Sequence, residues 1–193
     1  MDTLESIAAA IKVCKLCRLC EGRMNAVPGI GNPHAEVVFI GEGPGKNEDL
    51  KGEPFVGAAG KFLDKMLASI GWTRADIFIT NVVKCRPPEN RDPLPDEIDT
   101  CSSNYLKKQL AIIKPLLIVT LGRHSMNIFL PGQKISDIHG HAIRTKGIDN
   151  NAQVYFPLYH PAAALYNGGL QSVLMADFQK IPQLLTQLKS SHA

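Results

Sequence analysis

Four short apolar runs recur along the chain, over residues 36–40, 77–80, 116–121 and 154–159. Their apolar residues are continuous rather than alternating, which is the pattern of strands covered on both faces. Between them the period changes to that of helices. Phe62, Leu63, Met66, Leu67 and Ile70 share one face of a helix predicted over 57–70. A second helix opens at Pro95-Asp96-Glu97, where proline suits the first turn and the acids oppose the helix dipole. Its apolar face continues through Ile98, Tyr105, Leu106 and Ile112 until Lys114-Pro115 stops it. A first helix is predicted over 4–13 and a last one over about 170–188. Strands alternating with helices predict an α/β chain, a three-layer α/β/α sandwich with a central four-stranded parallel sheet, in one domain over 1–193.

Ligands of such sheets bind beyond the carboxyl ends of the strands. The first run is followed by Gly41-Glu42-Gly43-Pro44-Gly45, with Glu48 and Asp49 close behind. The second ends at Asn81, the third at Gly122-Arg123-His124, and the fourth at His160-Pro161-Ala162-Ala163-Ala164-Leu165. The glycine segment lacks the Lys-Ser/Thr ending of a P-loop and the spacing of a dinucleotide fingerprint. Taken singly, an asparagine can cap a strand and a histidine before proline is commonly structural. Their convergence on one sheet edge is what nominates a site.

Composition narrows the class without naming it. The 193 residues are 45% hydrophobic and 20% charged, enough to bury a core without disulfides. A net charge of +3 is too small to argue for a nucleic-acid partner by itself. The start, Met1-Asp2-Thr3-Leu4, lacks the basic and apolar regions of a secretory signal. No run approaches the roughly 20 apolar residues of a membrane helix, so a cytoplasmic protein with no membrane partner is expected.

The cysteines add the sharpest signal. Cys14 and Cys17 form a two-residue-spaced clip, and Cys85 and Cys101 follow after 67 intervening residues; Cys20 is a fifth thiol. An odd number argues against a disulfide framework. Thiolate sets of this size select zinc or an iron–sulfur cluster. Two unrelated groups of buried free cysteines would be the plainer reading, but cysteines clustered beside Lys15, Arg18 and Arg86 are poor core material.

The segments Gly41-Glu42-Gly43-Pro44-Gly45 and His160-Pro161-Ala162-Ala163 resemble the two motifs of the uracil-DNA glycosylase superfamily. The cysteine spacing, Gly52-Glu53-Pro54-Phe55-Val56-Gly57 and the stretch from Asn81 to Pro88 resemble its family 4, the iron–sulfur glycosylases of prokaryotes. The likeness runs from about Cys14 to the last helix. It implies a [4Fe–4S] cluster on Cys14, Cys17, Cys85 and Cys101, with Cys20 a nearby extra. It also implies a DNA-repair hydrolase that flips deoxyuridine out of DNA, breaks its N-glycosidic bond and leaves an abasic site.

The resemblance assigns Phe55 as the platform for the flipped base and Asn81 as the reader of its edge. An amide can accept from N3–H and donate to O4, whereas cytosine reverses those polarities. His160 would donate toward O2, and the Gly41 and Gly43 backbone would add donors. The third position of the first motif, an aspartate in the best-known branch, is Gly43 here. Glu42 is therefore the candidate for positioning water, with Glu48 and Asp49 as alternatives; Glu48 could instead crowd out a thymine methyl. Leu165, with Ala163 and Ala164 before it on the loop after His160, is the expected wedge into the helix, and Ala164 an expected DNA contact. Lys84, Arg86, Arg91 and Arg123 are expected at phosphates. His139 stands where an arginine is expected.

Two other readings compete. A superfamily branch traps uracil-DNA covalently through a histidine in an inserted basic loop, but the segment after Lys84 has no such insertion. A non-catalytic zinc or iron–sulfur DNA-binding module would explain the cysteines but not Phe55, Asn81 and His160. A monomer acting on single- or double-stranded uracil-containing DNA, nucleoid-associated, is expected. Neither end carries a convincing sliding-clamp-binding peptide.

Overall fold

The computed structural model describes residues 2–147 and 151–191. The chain opens with α1 (Leu4–Lys12), whose Thr3 and Ser6 cap each other reciprocally, and a single turn, α2 (Leu19–Gly22). Then follow β1 (Ile30–Gly31), β2 (Val37–Gly41), α3 (Lys46–Lys51), α4 (Ala58–Ser69) and β3 (Phe78–Asn81). Next come α5 (Pro95–Cys101), α6 (Lys107–Ile113), β4 (Leu117–Leu121), α7 (Arg123–Phe129), α8 (Ile135–Ile138), β5 (Ile143–Lys146) and β6 (Ala152–Leu158). The chain ends in α9 (Pro161–Tyr166), α10 (Gly168–Phe178) and α11 (Ile181–Ser190).

The sheet has the order β1-β3-β2-β4-β6-β5. The four predicted strands form its parallel centre, β3-β2-β4-β6, and an antiparallel strand is added at each edge. The sheet is therefore six-stranded. β1 is only two residues long and β5 is Ile143-Arg144-Thr145-Lys146, largely exposed, so neither carries the apolar run that marks a buried strand.

Every residue of β2 is buried, and alternate side chains enter different cores. Val37 and Phe39 pack with α4, α10 and α11; Val38 and Ile40 pack with α1, α5 and α6. That division produces the three layers. The path from Pro95 to Ile113 is continuous but passes through a π-helical turn at Ser102–Leu106. The predicted last helix is two. Pro182 has no N–H to give the carbonyl of Phe178, so the chain breaks at Gln179-Lys180 before α11 begins. Among the described residues no helix is long and apolar enough to cross a membrane.

Candidate functional site

The register of the central strands places the site residues. Gly41 pairs directly with Asn81, so the glycine turn and the amide leave the sheet side by side. β6 delivers His160 to the same edge, where it caps α9. Glu42, Gly43, Glu48, Phe55, Asn81 and His160 line one cavity of about 350 Å³, the volume of a single base with room to spare. The amide of Asn81 faces this cavity and has no protein partner among the described residues.

Phe55 lies against His160, ring centroids 5.7 Å apart and planes 25° from parallel. Its backbone is left-handed (φ +54°), a conformation costing a β-carbon-bearing residue about 1 kcal/mol or more. The surroundings hold it there. Arg74 donates to the carbonyls of Pro54 (3.0 Å) and Phe55 (2.5 Å) and is itself braced by Asp64 at 2.6 Å. On the other side Glu48 Oε1 accepts the N–H groups of Val56 (2.9 Å) and Gly57 (3.0 Å). Gly60 closes the arrangement: a Cβ there would sit 1.7 Å from the Phe55 carbonyl oxygen. Gly41 is equally constrained, since a Cβ would fall 2.4 Å from Asn81 Oδ1 and 2.7 Å from the Phe55 ring. Gly41 thus lets the Asn81 amide and the Phe55 ring approach the same stretch of backbone.

His160 accepts the N–H of Ala162 on Nδ1 at 3.1 Å. That bond leaves the proton of the neutral ring on Nε2. Burial holds the imidazole neutral, pulling it down to about 4, with Glu48 opposing weakly. Glu42 Oε2 lies 3.7 Å from His124 Nε2, which is 3.2 Å from Asp92. Burial raises the Glu42 carboxyl above its ordinary range, while His124 and Arg123 act against it.

The predicted DNA-facing residues separate into groups. Leu165 is 48% exposed and its neighbour Tyr166 is 92% exposed, at the end of α9. Ala164 is instead buried in the core and offers no surface to DNA. Arg86 reaches Asn90 and Arg123 reaches Asp92, both at the surface. Arg91 is committed to Glu97 through two bonds of 2.7 and 2.9 Å. Lys84 is the clearest correction. It is 1% exposed, its ammonium turned inward, and it cannot reach a phosphate. His139 pairs with Asp177 at 2.6 Å and packs on Tyr159, directly before His160.

Away from this edge, Cys14, Cys17, Cys85 and Cys101 line one small cavity with Cys20, Arg23 and Lys84. Three of the sulfurs receive N–H donors: Arg23 to Cys85 (3.0 Å), the Lys84 backbone to Cys101 (3.3 Å) and the Leu16 backbone to Cys14 (3.5 Å). Burial raises the thiols of Cys17 and Cys85 and pushes that of Cys101 up to about 11. Thiols that share one cavity and receive N–H donors are a donor set of the kind that zinc or an iron–sulfur cluster takes.

Sequence reasoning placed His124 at a strand end but missed its pairing with Glu42, and missed Asp92 beside it and Asp64, Arg74 and Gly60 behind Phe55. None belongs to a short motif. Each is brought to its partner by the fold.

The model for the uracil DNA glycosylase superfamily matches residues 28–183. The chain is 52% identical to the type-4 uracil-DNA glycosylase of Sulfurisphaera tokodaii over 191 residues, covering 95% of this chain and 86% of that protein. It is 48% identical to that of Archaeoglobus fulgidus, covering 95% and 94%, and 39% identical to that of Thermotoga maritima, covering 93% of each. With this cavity at the ends of its parallel strands and a match spanning most of its length, the chain belongs to the uracil DNA glycosylase superfamily.

Proposed function

We propose that this chain is a type-4 uracil-DNA glycosylase, hydrolysing the bond between uracil and deoxyribose in DNA and leaving an abasic site for base-excision repair. The observation that carries the reading is the neutral His160, its proton confined to Nε2, beside Phe55 in the cavity that Asn81 also lines.

A base within a duplex is out of reach, so deoxyuridine must be extruded. Phe55 stacks on the flipped base, and Asn81 reads N3–H and O4 together. A cytosine would leave both halves of that amide mismatched, at a cost of about 1–3 kcal/mol. As the C–N bond breaks, negative charge gathers on uracil O2, and Nε2–H of His160 donates to it. The neutral ring can fill this role because its Nε2–H hydrogen-bonds the developing anion, with Nδ1 already occupied by the Ala162 N–H. Water then adds to the cationic sugar; Glu42, the carboxylate of the motif over residues 41–45 and a lining residue of the cavity, orients it. Glu48 supports the platform through the Val56 and Gly57 amides and lines the cavity beside it. Gly41 and Gly43 bring backbone close to the base. Leu165 fills the gap left in the helix, with Arg86 and Arg123 at the backbone of the DNA.

Cys14, Cys17, Cys85 and Cys101 would hold a [4Fe–4S] cluster, which when bound supplies a structural cross-link and no step of the hydrolysis. Thiolate sets of this size are taken by zinc or by an iron–sulfur cluster, and the likeness to the type-4 glycosylases favours the cluster. Action as a monomer in the cytoplasm, near the nucleoid, belongs to the same proposal.

Incubation with uracil-containing single- and double-stranded oligonucleotides, followed by alkali, tests the reading. Alkali-labile sites at the uracil position are expected. Intact strands, or protein retained on DNA in a denaturing gel, would overturn it in favour of a binding module or the trapping branch.

A further inference from the structure

Lys84 has no part in the chemistry, yet it is among the largest fully buried side chains. Burying an ammonium costs several kcal/mol unless its donors are satisfied. Here all three are. Nζ meets Thr80 Oγ1 at 2.5 Å, the backbone carbonyl of Asn81 at 2.7 Å and Gln109 Oε1 at 2.8 Å. The acceptors are themselves tied down. Thr80 Oγ1 donates to the carbonyl of Pro28 at 3.1 Å, and Gln109 Nε2 donates to the same carbonyl at 2.8 Å. The Lys84 backbone N–H reaches Cys101 Sγ, and the next residue is Cys85. One residue therefore joins the cysteine cavity through its backbone to the helix carrying Gln109 and the last residue of β3 through its side chain.

We propose that Lys84 is a positioning residue for Asn81: it grips the Asn81 carbonyl from beneath and so aims the amide that reads the base. The inference rests on the proposed reading role of Asn81. The chain leaves the sheet at this carbonyl, and the ammonium replaces the ladder partner that a continuing strand would supply. Removing the ammonium leaves three inward oxygens short of a donor, the Asn81 carbonyl among them.

The test is a double-mutant cycle between Lys84→Met and Asn81→Ala, made in cluster-loaded protein checked by iron content and visible absorbance. Alone, Lys84→Met should slow single-turnover uracil release about ten-fold, equivalent to roughly 1.4 kcal/mol at the transition state. The half-saturating DNA concentration should stay within about two-fold, and amide hydrogen exchange across residues 79–85 should accelerate. On the Asn81→Ala background the same change should cost little, because no amide remains to be aimed. Thr80→Val, a milder lesion of the same network, should give a smaller effect in the same direction if Lys84→Met folds poorly. An equal loss on both backgrounds, or lowered thermal stability with unchanged release, would overturn the proposal. Wild-type protein that produces no abasic sites would instead overturn the glycosylase reading beneath it.

Discussion

His160 Nδ1 accepts the backbone N–H of Ala162 at 3.1 Å, so one bond both caps α9 and sets the tautomer of the ring. The following proline contributes, since it occupies the first helical position, where no N–H is needed. Burial then keeps the ring uncharged to about pH 4. The acid limb of the rate therefore belongs to another group. Glu42 has its carboxyl raised by burial, and the water-orienting role proposed for it needs the ionised form. Uracil release should fall as pH drops through the elevated Glu42 value, and Glu42→Gln should slow release and flatten that limb. A pH–rate profile checks both; Glu42→Gln at the wild-type rate would remove Glu42 from the mechanism.

The same ring links pH to stability. A histidine lowered in the folded state stabilises fully above its unfolded value of about 6.5. That contribution is lost as pH falls toward about 4, because the unfolded chain binds the proton first. Thermal unfolding of the wild type should show this decline, and His160→Gln should show less of it.

Phe55 is held by Gly60, Asp64 and Arg74, none of which lines the cavity. Arg74→Ala frees the carbonyls of Pro54 and Phe55 and should cost about 1–3 kcal/mol of stability. Gly60→Ala should be worse, because the new methyl meets the Phe55 carbonyl at 1.7 Å. In both variants release should fall further than melting temperature alone accounts for. Activity well below the melting transition separates the two effects.

The four assigned thiols make a direct prediction for metal content. Cys101→Ser should lose the visible absorbance of the cluster and lower iron per chain, whereas Cys20→Ser should retain both. The reverse outcome would transfer the ligand role to Cys20, which lines the same cavity.

Leu165, half exposed at the end of α9, should matter most where a stacked duplex must be opened. Leu165→Ala is expected to slow release from double-stranded DNA by about ten-fold and to leave single-stranded substrate nearly unchanged, the unstacking cost being absent there. Parallel single-turnover rates on the two substrates check it.

The central strands and the residues just past them were legible because buried parallel strands read as unbroken apolar runs, and their carboxyl ends follow by topology. The edge strands were not: β1 has two residues, and β5 carries a single apolar residue, Ile143, among polar ones. Lys84 was misread for a related reason. A lysine in a basic, cysteine-bearing loop looks like a surface cation, and only the fold reveals Thr80, Gln109 and the Asn81 carbonyl converging on it. Ala164 and Leu165 are adjacent in sequence, but α9 turns one inward and the other out. Arg74 and Asp64 support Phe55 from nineteen and nine residues away, a relation no local pattern carries.

The most direct measurement of the central claim is the quantity of free uracil released from uracil-containing DNA, set against abasic sites formed in the same reaction. Wild-type protein should give the two in equal amounts, and no base from matched strands carrying cytosine or thymine. Asn81→Ala and His160→Gln should each reduce uracil release by about 100-fold, in line with the loss of a positioned donor or reader. Wild-type protein that releases no uracil, or variants as active as the wild type, would contradict the account.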